Sequence, residues 1–316
     1  MVIFAEVAYA WSSGGHRIVA HLAWLQLDNE TRVKAVELIK QHEMFQEDFA
    51  DRMPLSVASA SEAAKNQWIF VQAATWSDIA RDEPQFNHSR WHYVNFPIFL
   101  SPEDKEALDL SHLNVDSKLP VDIENEDDLN ILQALLLNEQ VLQSDSSTYK
   151  EKAIHLCWLI HLIGDIHQPL HSTALFSTGM FSDGDGDRGG NQIDVDGTSL
   201  HSVWDNLLGN PTTLSNISSR AEDAIDEFRQ QGADANQSME PLLWAQESHQ
   251  LAEESVYTKA IMDAVREQND GGGPTVSVSL SPEYMAHAQS IARVRIVEAG
   301  FRLAKAIDLV LEHSRK

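Results

Sequence analysis

The stretch HLIGDIHQPLH, residues 161–171, places three histidines and an aspartate at the end of a segment otherwise apolar enough for a helix core, AIHLCWLIHLIG (153–164). Imidazole and carboxylate groups beside Trp158, Leu159 and Leu162 lose their water, which costs free energy unless each finds a partner. His161 and Asp165 are four residues apart, so on a helix their side chains share a face, with Cβ atoms roughly 5–6 Å apart. Pro169 stops the helix, and His171 follows where the chain can turn toward the same pocket. Any fold of this chain must bring partners to these groups.

The spacing recurs in LHSVWDNLL, where His201 and Asp205 again stand four apart. One such pair can be a bare ion pair. Two copies point to metal ligation, because imidazole nitrogen and carboxylate oxygen are donors that zinc accepts at about 2.0–2.2 Å. Asp78 in ATWSDIAR, His92 in WHYVNFP, and His16, five residues after Trp11, raise the supply above what one zinc needs.

Around these residues the pattern is helical. Apolar residues recur at three- and four-residue spacing over 15–28, 30–42, 57–74, 102–110, 126–143 and 149–166, and again over 201–208, 213–231 and 241–265. A last stripe runs through Ile291, Val294, Val297, Phe301, Ala304, Ile307 and Leu311. The best strand signals are HYVNFPIF (92–99) and NQIDVDG (191–197), and NDGGGPTVSVSLS (269–281) reads as a loop. With no repeat and no dividing linker, the expectation is one mainly α domain over 11–316 with a sizeable core, since 43% of the 316 residues are hydrophobic. No apolar run reaches the eighteen or more residues of a membrane span. The single cysteine, Cys157, excludes an intrachain disulfide and reads as a small buried hydrophobe.

The net charge of −25 argues against a generic polyanion binder, whose affinity comes from cationic side chains. If the substrate is nucleic acid, local cations must supply the attraction, and metal ions are the obvious source. The acidic run DGDGDRGGNQID is not a calcium hand: counted from Asp183, its sixth residue is Arg188 where glycine is required, and its twelfth is Asp194 rather than glutamate. His155 and His167 read as structural. At the N-terminus MVIFAEVAYA ends in Ala8-Tyr9-Ala10, an A-x-A cleavage pattern, so residues 1–10 are expected to be the remnant of an export signal and the mature protein to be secreted or periplasmic.

Taken together, W-x4-H (Trp11, His16), ATWSDIAR, WHYVN, HLIGDIHQPLH, DRGGN (187–191) and LHSVWD resemble the zinc-dependent single-strand-specific nucleases of the S-one/P-one type, related to bacterial zinc phospholipase C. WAQESHQLA (244–252) and AGFRLA (299–304) also look familial. The resemblance implies a single-domain helical bundle with a trinuclear zinc cluster in a cleft. It implies three Zn²⁺ ions: one on Asp78, His92 and His161, a second on His171, His201 and Asp205, and a third on His16 and on the amine and carbonyl of Trp11. Asp165 would bridge the first and third. It further implies Arg81 as a phosphate-binding and catalytic cation alongside Asp78 and Asp165. Tyr93 and Asn95 would hold a base, and Asn191 would stand at the pocket wall. The implied activity is hydrolysis of single-stranded DNA and RNA to 5′-phosphate products, with 3′-nucleotides as further substrates, by a monomer. Two rivals stand beside this reading: a phospholipase C on the same metal frame, which DRGGN and the Tyr93/Asn95 pair disfavour, and a non-catalytic zinc-binding helical protein, which gains nothing from Arg81 beside the metals.

Overall fold

A computed structural model describes residues 11–182, 184–271 and 275–312; the expected export signal at 1–10 lies outside them. In chain order the elements are α1 (Ser13–Gln26), α2 (Asn29–Ile39), α3 (Leu55–Ala58), α4 (Glu62–Ala73), α5 (Trp76–Ile79), β1 (Phe96–Phe99), α6 (Pro102–Ala107), α7 (Ile131–Gln143) and α8 (Tyr149–Asp165). They continue with β2 (Thr173–Phe176), β3 (Ile193–Val195), β4 (Thr198–Ser199), α9 (Leu200–Asp205), α10 (Leu214–Ala235), α11 (Pro241–Leu251), α12 (Lys259–Gly271), β5 (Val276–Val278) and α13 (Pro282–Glu312). The fold is mainly α, as the periodicity predicts.

Capping explains why several helices begin where they do. Thr148 and Glu151 form a reciprocal capping box at the start of α8, and Asn130 and Gln133 form another on α7. From Leu156 to Asp165 every residue of α8 is buried, so this helix is apolar all round because other helices surround it. It packs on α7, α2, α13 and α1, while α13 runs along α10 and α1. A large cluster with Trp76, Trp158, Leu159 and Ile296 fills the helical body, and a smaller one joins Leu170, Phe181, Ile193, Trp204, Tyr257 and Val276.

Two small sheets close one side. β1 pairs in parallel with β2 (Phe96↔Thr173), and β3 lies between antiparallel β4 (Asp194↔Ser199) and parallel β5 (Ile193↔Val276). Strands β2, β4 and β5 were not expected, and β5 falls inside the segment read as a loop. All three are short, and β2 and β5 owe their geometry to partners distant in sequence, which local pattern does not report. The helix expected over 241–265 is interrupted: α11 ends at Leu251, a π-turn spans 252–256, and α12 begins at Lys259. The segments expected helical over 57–74, 102–110 and 126–143 are also shorter, at 62–73, 102–107 and 131–143, because Ser61 caps α4, α6 stops at Ala107 and Asn130 caps α7.

Away from the candidate site, His21 and His42 are buried and His155 is half-buried. His21 meets the Gln67 amide at 3.1 Å, His42 accepts from the Met44 amide at 3.0 Å, and His155 meets the Asn138 carboxamide oxygen at 2.8 Å. Burial lowers each to about 4. Since the folded values lie below the ordinary 6.5, the unfolded chain binds more protons between pH 6.5 and 4, so their stabilisation is complete above 6.5 and is lost as pH falls toward 4. Asp187, pushed up to about 6 by burial, acts in the opposite sense between pH 3.8 and 6, as does Asp205, while His92 and His171, lowered to about 4 and about 3, act with the three. Urea unfolding of the chelator-stripped protein should therefore show stability falling by a few kcal/mol from pH 6.5 to 4. Constant or rising stability over that range would contradict the assignment.

Candidate metal centre

α8 delivers His161 and Asp165 on one face, as their spacing predicts. Asp165 is fully buried and stands at the centre: Oδ1 lies 3.1 Å from His16 Nε2, and Oδ2 lies 2.8 Å from His92 Nδ1 and 3.2 Å from His161 Nε2. His161 Nε2 is also 3.9 Å from Asp78 Oδ1. His16 comes from α1 and stacks flat on His161, with ring centroids 4.0 Å apart. Gly164 makes this approach possible, because a Cβ there would lie 2.7 Å from His16 Nδ1. The 165–171 turn then carries His171 to His201, Nε2 to Nε2 at 3.1 Å, with Asp205 Oδ2 3.5 Å from His201 Nε2.

The hydrogen bonds fix which ring nitrogens face inward. His171 Nδ1 donates to the His92 carbonyl at 2.7 Å, His201 Nδ1 to the Gly189 carbonyl at 2.7 Å, and His161 Nδ1 to the Ala74 carbonyl at 2.8 Å. A carbonyl can only accept, so Nδ1 carries the proton on each ring and, in the neutral ring, Nε2 presents a lone pair. Burial, with His201 nearby, lowers His171 to about 3, which leaves it neutral. The two Nε2 atoms and the Asp205 carboxyl group converge on one point, an arrangement that could hold a cation. His16 Nε2 and Asp165 Oδ1 tell the same story: despite their proximity, neither has a properly aligned hydrogen bond. The donor sets are His16, Asp78 and His161; His92, His161 and Asp165; and His171, His201 and Asp205, with ligand atoms within 4.8 Å of one another in each. Nitrogen and carboxylate oxygen with backbone carbonyls behind the imidazoles fit zinc.

Electrostatics separates the carboxylates. Burial alone would raise Asp165, but His161, His16 and His92 hold it well below the usual range. Asp78 is likewise lowered against its burial, by His161 and Arg81. Asp205 is pushed well above the usual range by burial, which the Gln168 amide (Nε2 to Oδ1, 2.7 Å) only partly offsets. His161 is raised to about 8 by Asp165 and Asp78 against its own burial.

The other expected site residues fall in several places. Arg81 Nη2 bonds Asp78 Oδ1 at 2.8 Å, which puts the guanidinium beside the metal ligands. Tyr93 and Asn95 line a small cleft with Arg90 and Asp185, and the Asn95 amide donates to Asp185 at 3.0 Å. Asn191 lines a different pocket, with Phe181, Asp194 and Thr198. Trp11 is fully buried, and the amide of Ser12 after it donates to the carbonyl of Asp205 at 2.8 Å, tying the segment before α1 to the end of α9.

Sequence reasoning missed Gln168, Gly164, and the supporting role of DRGGN. In that run Arg188, Gly189 and Gly190 are consecutive left-handed residues (φ 58°, 60°, 80°) that turn the Gly189 carbonyl onto His201. Buried Asp187 holds the turn by accepting from the amides of Leu175 (2.8 Å) and Gly190 (3.0 Å) and from the Tyr257 hydroxyl (2.7 Å). The paired glycines were the available signal.

Fold and site together define a mainly α protein whose buried histidines and aspartates can hold metal ions. Residues 11–312 match the family model described as S1/P1 Nuclease, and the chain belongs to that zinc-dependent family. It is 24% identical to Endonuclease 4 of Arabidopsis thaliana over 98% of this chain and 92% of that protein. It is 24% identical to Endonuclease 2 of the same plant, over 98% and 96%. Nuclease S1 of Aspergillus oryzae is 28% identical across 49% of this chain and 53% of its own length.

Proposed function

We propose that this chain is a zinc-dependent endonuclease that cuts single-stranded DNA and RNA to 5′-phosphate products and also hydrolyses 3′-nucleotides. The reading rests on one feature of the site, the backbone carbonyls that lock His161, His171 and His201 with Nε2 facing inward beside Asp165 and Asp205. Three ions would be held by Asp78, His92 and His161; by His171, His201 and Asp205; and by His16 with the amine and carbonyl of Trp11, Asp165 being shared between the first and third. Bound zinc would supply Lewis acidity for the phosphoryl group and lower the pKa of the attacking water. The chain's own residues do the rest. Arg81, held beside Asp78, offers a planar fork of donors to phosphoryl oxygens in the transition state. Gln168 keeps the Asp205 carboxylate in one orientation. Tyr93 would stack on an unpaired base and Asn95 would hydrogen-bond its edge; stacking contributes about 1–3 kcal/mol and requires a face that a duplex hides. Asn191 is assigned to an outer wall of the substrate cleft.

We further assign residues 11–316 to one catalytic domain acting as a secreted or periplasmic monomer, with removal of residues 1–10 freeing the Trp11 amine. No helix among the described residues is long and apolar enough to cross a membrane.

The zinc-loaded protein should hydrolyse single-stranded DNA, RNA and 3′-AMP, spare duplex DNA, and leave phosphatidylcholine intact. Lipid cleavage without nuclease activity would favour the phospholipase reading, and zinc binding without turnover on any substrate the storage reading. Tyr93→Ala should raise KM for single strands about 5-fold or more with zinc content unchanged, since it removes a stacking face worth at least about 1 kcal/mol and no ligand. Loss of zinc by this variant would assign Tyr93 to core packing instead.

A further inference from the structure

Two arginines of α13 are almost wholly buried, 2% exposed each, and neither reaches the metal ligands directly. Arg302 grips Glu247 of α11 with both terminal nitrogens (Nη1 to Oε2 and Nη2 to Oε1, 2.7 Å each), and its Nη1 also donates to His167 Nε2 at 2.9 Å. Arg295 donates from Nη1 to Glu247 (2.9 Å) and to Glu298 (2.6 Å), from Nη2 to Ser248 Oγ (2.9 Å), and from Nε to the His167 carbonyl (3.2 Å). Ser248 in turn donates to the Ile166 carbonyl at 2.6 Å. His167 completes the set by donating from Nδ1 to the Ile163 carbonyl at 2.7 Å. Two guanidiniums and two carboxylates balance in charge. Arg295 also donates to the Trp244 carbonyl (3.3 Å) and Arg302 to the Ala235 carbonyl (3.2 Å), and the bonds through Ser248, the Arg295 Nε and the Arg302 Nη1 converge on the backbone of 166–167 and the His167 ring.

That turn is the only chain between Asp165, at the centre of one ligand group, and Gln168 and His171, which serve the other. Gln168 fixes Asp205, and His171 meets His201. A shift of 166–167 would therefore move the two ligand groups relative to each other. Fixing a turn needs no ion network anchored on two buried guanidiniums, because burying a charge carries a desolvation penalty that apolar residues avoid, even though the Glu247 carboxylate itself stays 40% exposed. Rigid, multiply bonded charges are suited to holding a geometry.

We propose that the Arg295–Glu247–Arg302 cluster, acting through Ser248 and His167, is a positioning device that sets the spacing between the Asp165-centred and the His171/His201/Asp205 ligand groups. Glu247 and Ser248 come from WAQES (244–248), Arg302 from FR (301–302) and Arg295 from the same helix α13, none of which supplies a candidate ligand. The proposal rests on the zinc reading above, and its test reads metal binding separately from activity.

Zinc per molecule, the chelator concentration that strips it, kcat and KM should be measured for the parent chain and for Glu247→Gln, Arg302→Lys and Ser248→Ala, well below each melting temperature. Val36→Ala, a cavity in the core of α2, serves as a variant of lowered stability without a link to the turn. Outer partners of metal ligands typically govern affinity by about 10–100-fold. Glu247→Gln and Arg302→Lys should therefore release zinc at about 10–100-fold lower chelator and lose kcat with KM nearly unchanged, Ser248→Ala should follow in the same direction, and Val36→Ala should lose only stability. Arg302→Lys keeps the charge but not the fork, so full retention of zinc and kcat by it would overturn the proposal. So would metal binding and kcat that match the parent in Glu247→Gln and Ser248→Ala, even with a lowered melting temperature. A parent chain that binds no zinc would instead overturn the reading on which the proposal depends.

Discussion

Asp165→Asn is expected to lower kcat by at least roughly 10³-fold, the upper range for removing one preorganised electrostatic group, and to exceed the loss from Asp205→Asn. Asp165 faces His16, His92 and His161 at once, whereas Asp205 faces His201 and is held from outside by Gln168. The two substitutions should also move the stability of the metal-stripped chain in opposite directions at pH 7. Burial opposes the ionised form of both carboxylates, but three histidines overcome it at Asp165, so its charge favours the folded state there. At Asp205 burial prevails and the charge is a liability, which a neutral amide relieves while its carbonyl still accepts from Gln168. Zinc analysis and kinetics on both variants, with urea unfolding of the stripped proteins, check both parts. Equal losses of zinc and kcat would argue against a shared role for Asp165, and equal stability changes against the electrostatic assignment.

Removing the metal altogether should lower the melting temperature by on the order of 10–20 °C as well as abolish activity. Ligand groups drawn from α1, α5, α8, α9 and the loops before β1 and β2 come together only in the folded chain. Binding therefore adds to folding free energy, roughly 4 kcal/mol per site or about 12 for three sites when free zinc is about 1,000 times its Kd, and each kcal/mol is worth about 1.5 °C in a chain of 316 residues. The stripped site is also unfavourable in itself, since two imidazoles meet Nε2 to Nε2 at 3.1 Å beside a buried carboxyl group whose ionised form burial disfavours. Calorimetry before and after exhaustive chelation, with zinc restored as the control, measures the effect. An unchanged melting temperature would show that the ions contribute nothing to holding these elements together.

Much of this was legible in the chain. Helical periodicity located most of the helices, and where it erred it ran segments together, because apolar spacing continues across a π-turn such as 252–256 that changes direction without changing composition. The four-residue spacing of His161 with Asp165, and of His201 with Asp205, put each pair on one face as any α-helix must. Residue types alone specified nitrogen and oxygen donors and, through the motifs, the nuclease family.

What only the tertiary structure decided is how those donors are divided and aimed. The carbonyls that orient His161, His171 and His201 belong to Ala74, His92 and Gly189, which are 87, 79 and 12 residues away in the chain. Every residue carries a carbonyl, so no side-chain identity marks the ones that matter; their role follows from position in space. The same holds for Gly164, which is needed because α1 brings His16 against it, and for Arg295 and Arg302, whose partner Glu247 lies on another helix. Sequence pattern reports neighbours within one element, where the backbone repeat sets the geometry. The site is built from contacts between elements, and packing of the whole chain sets those.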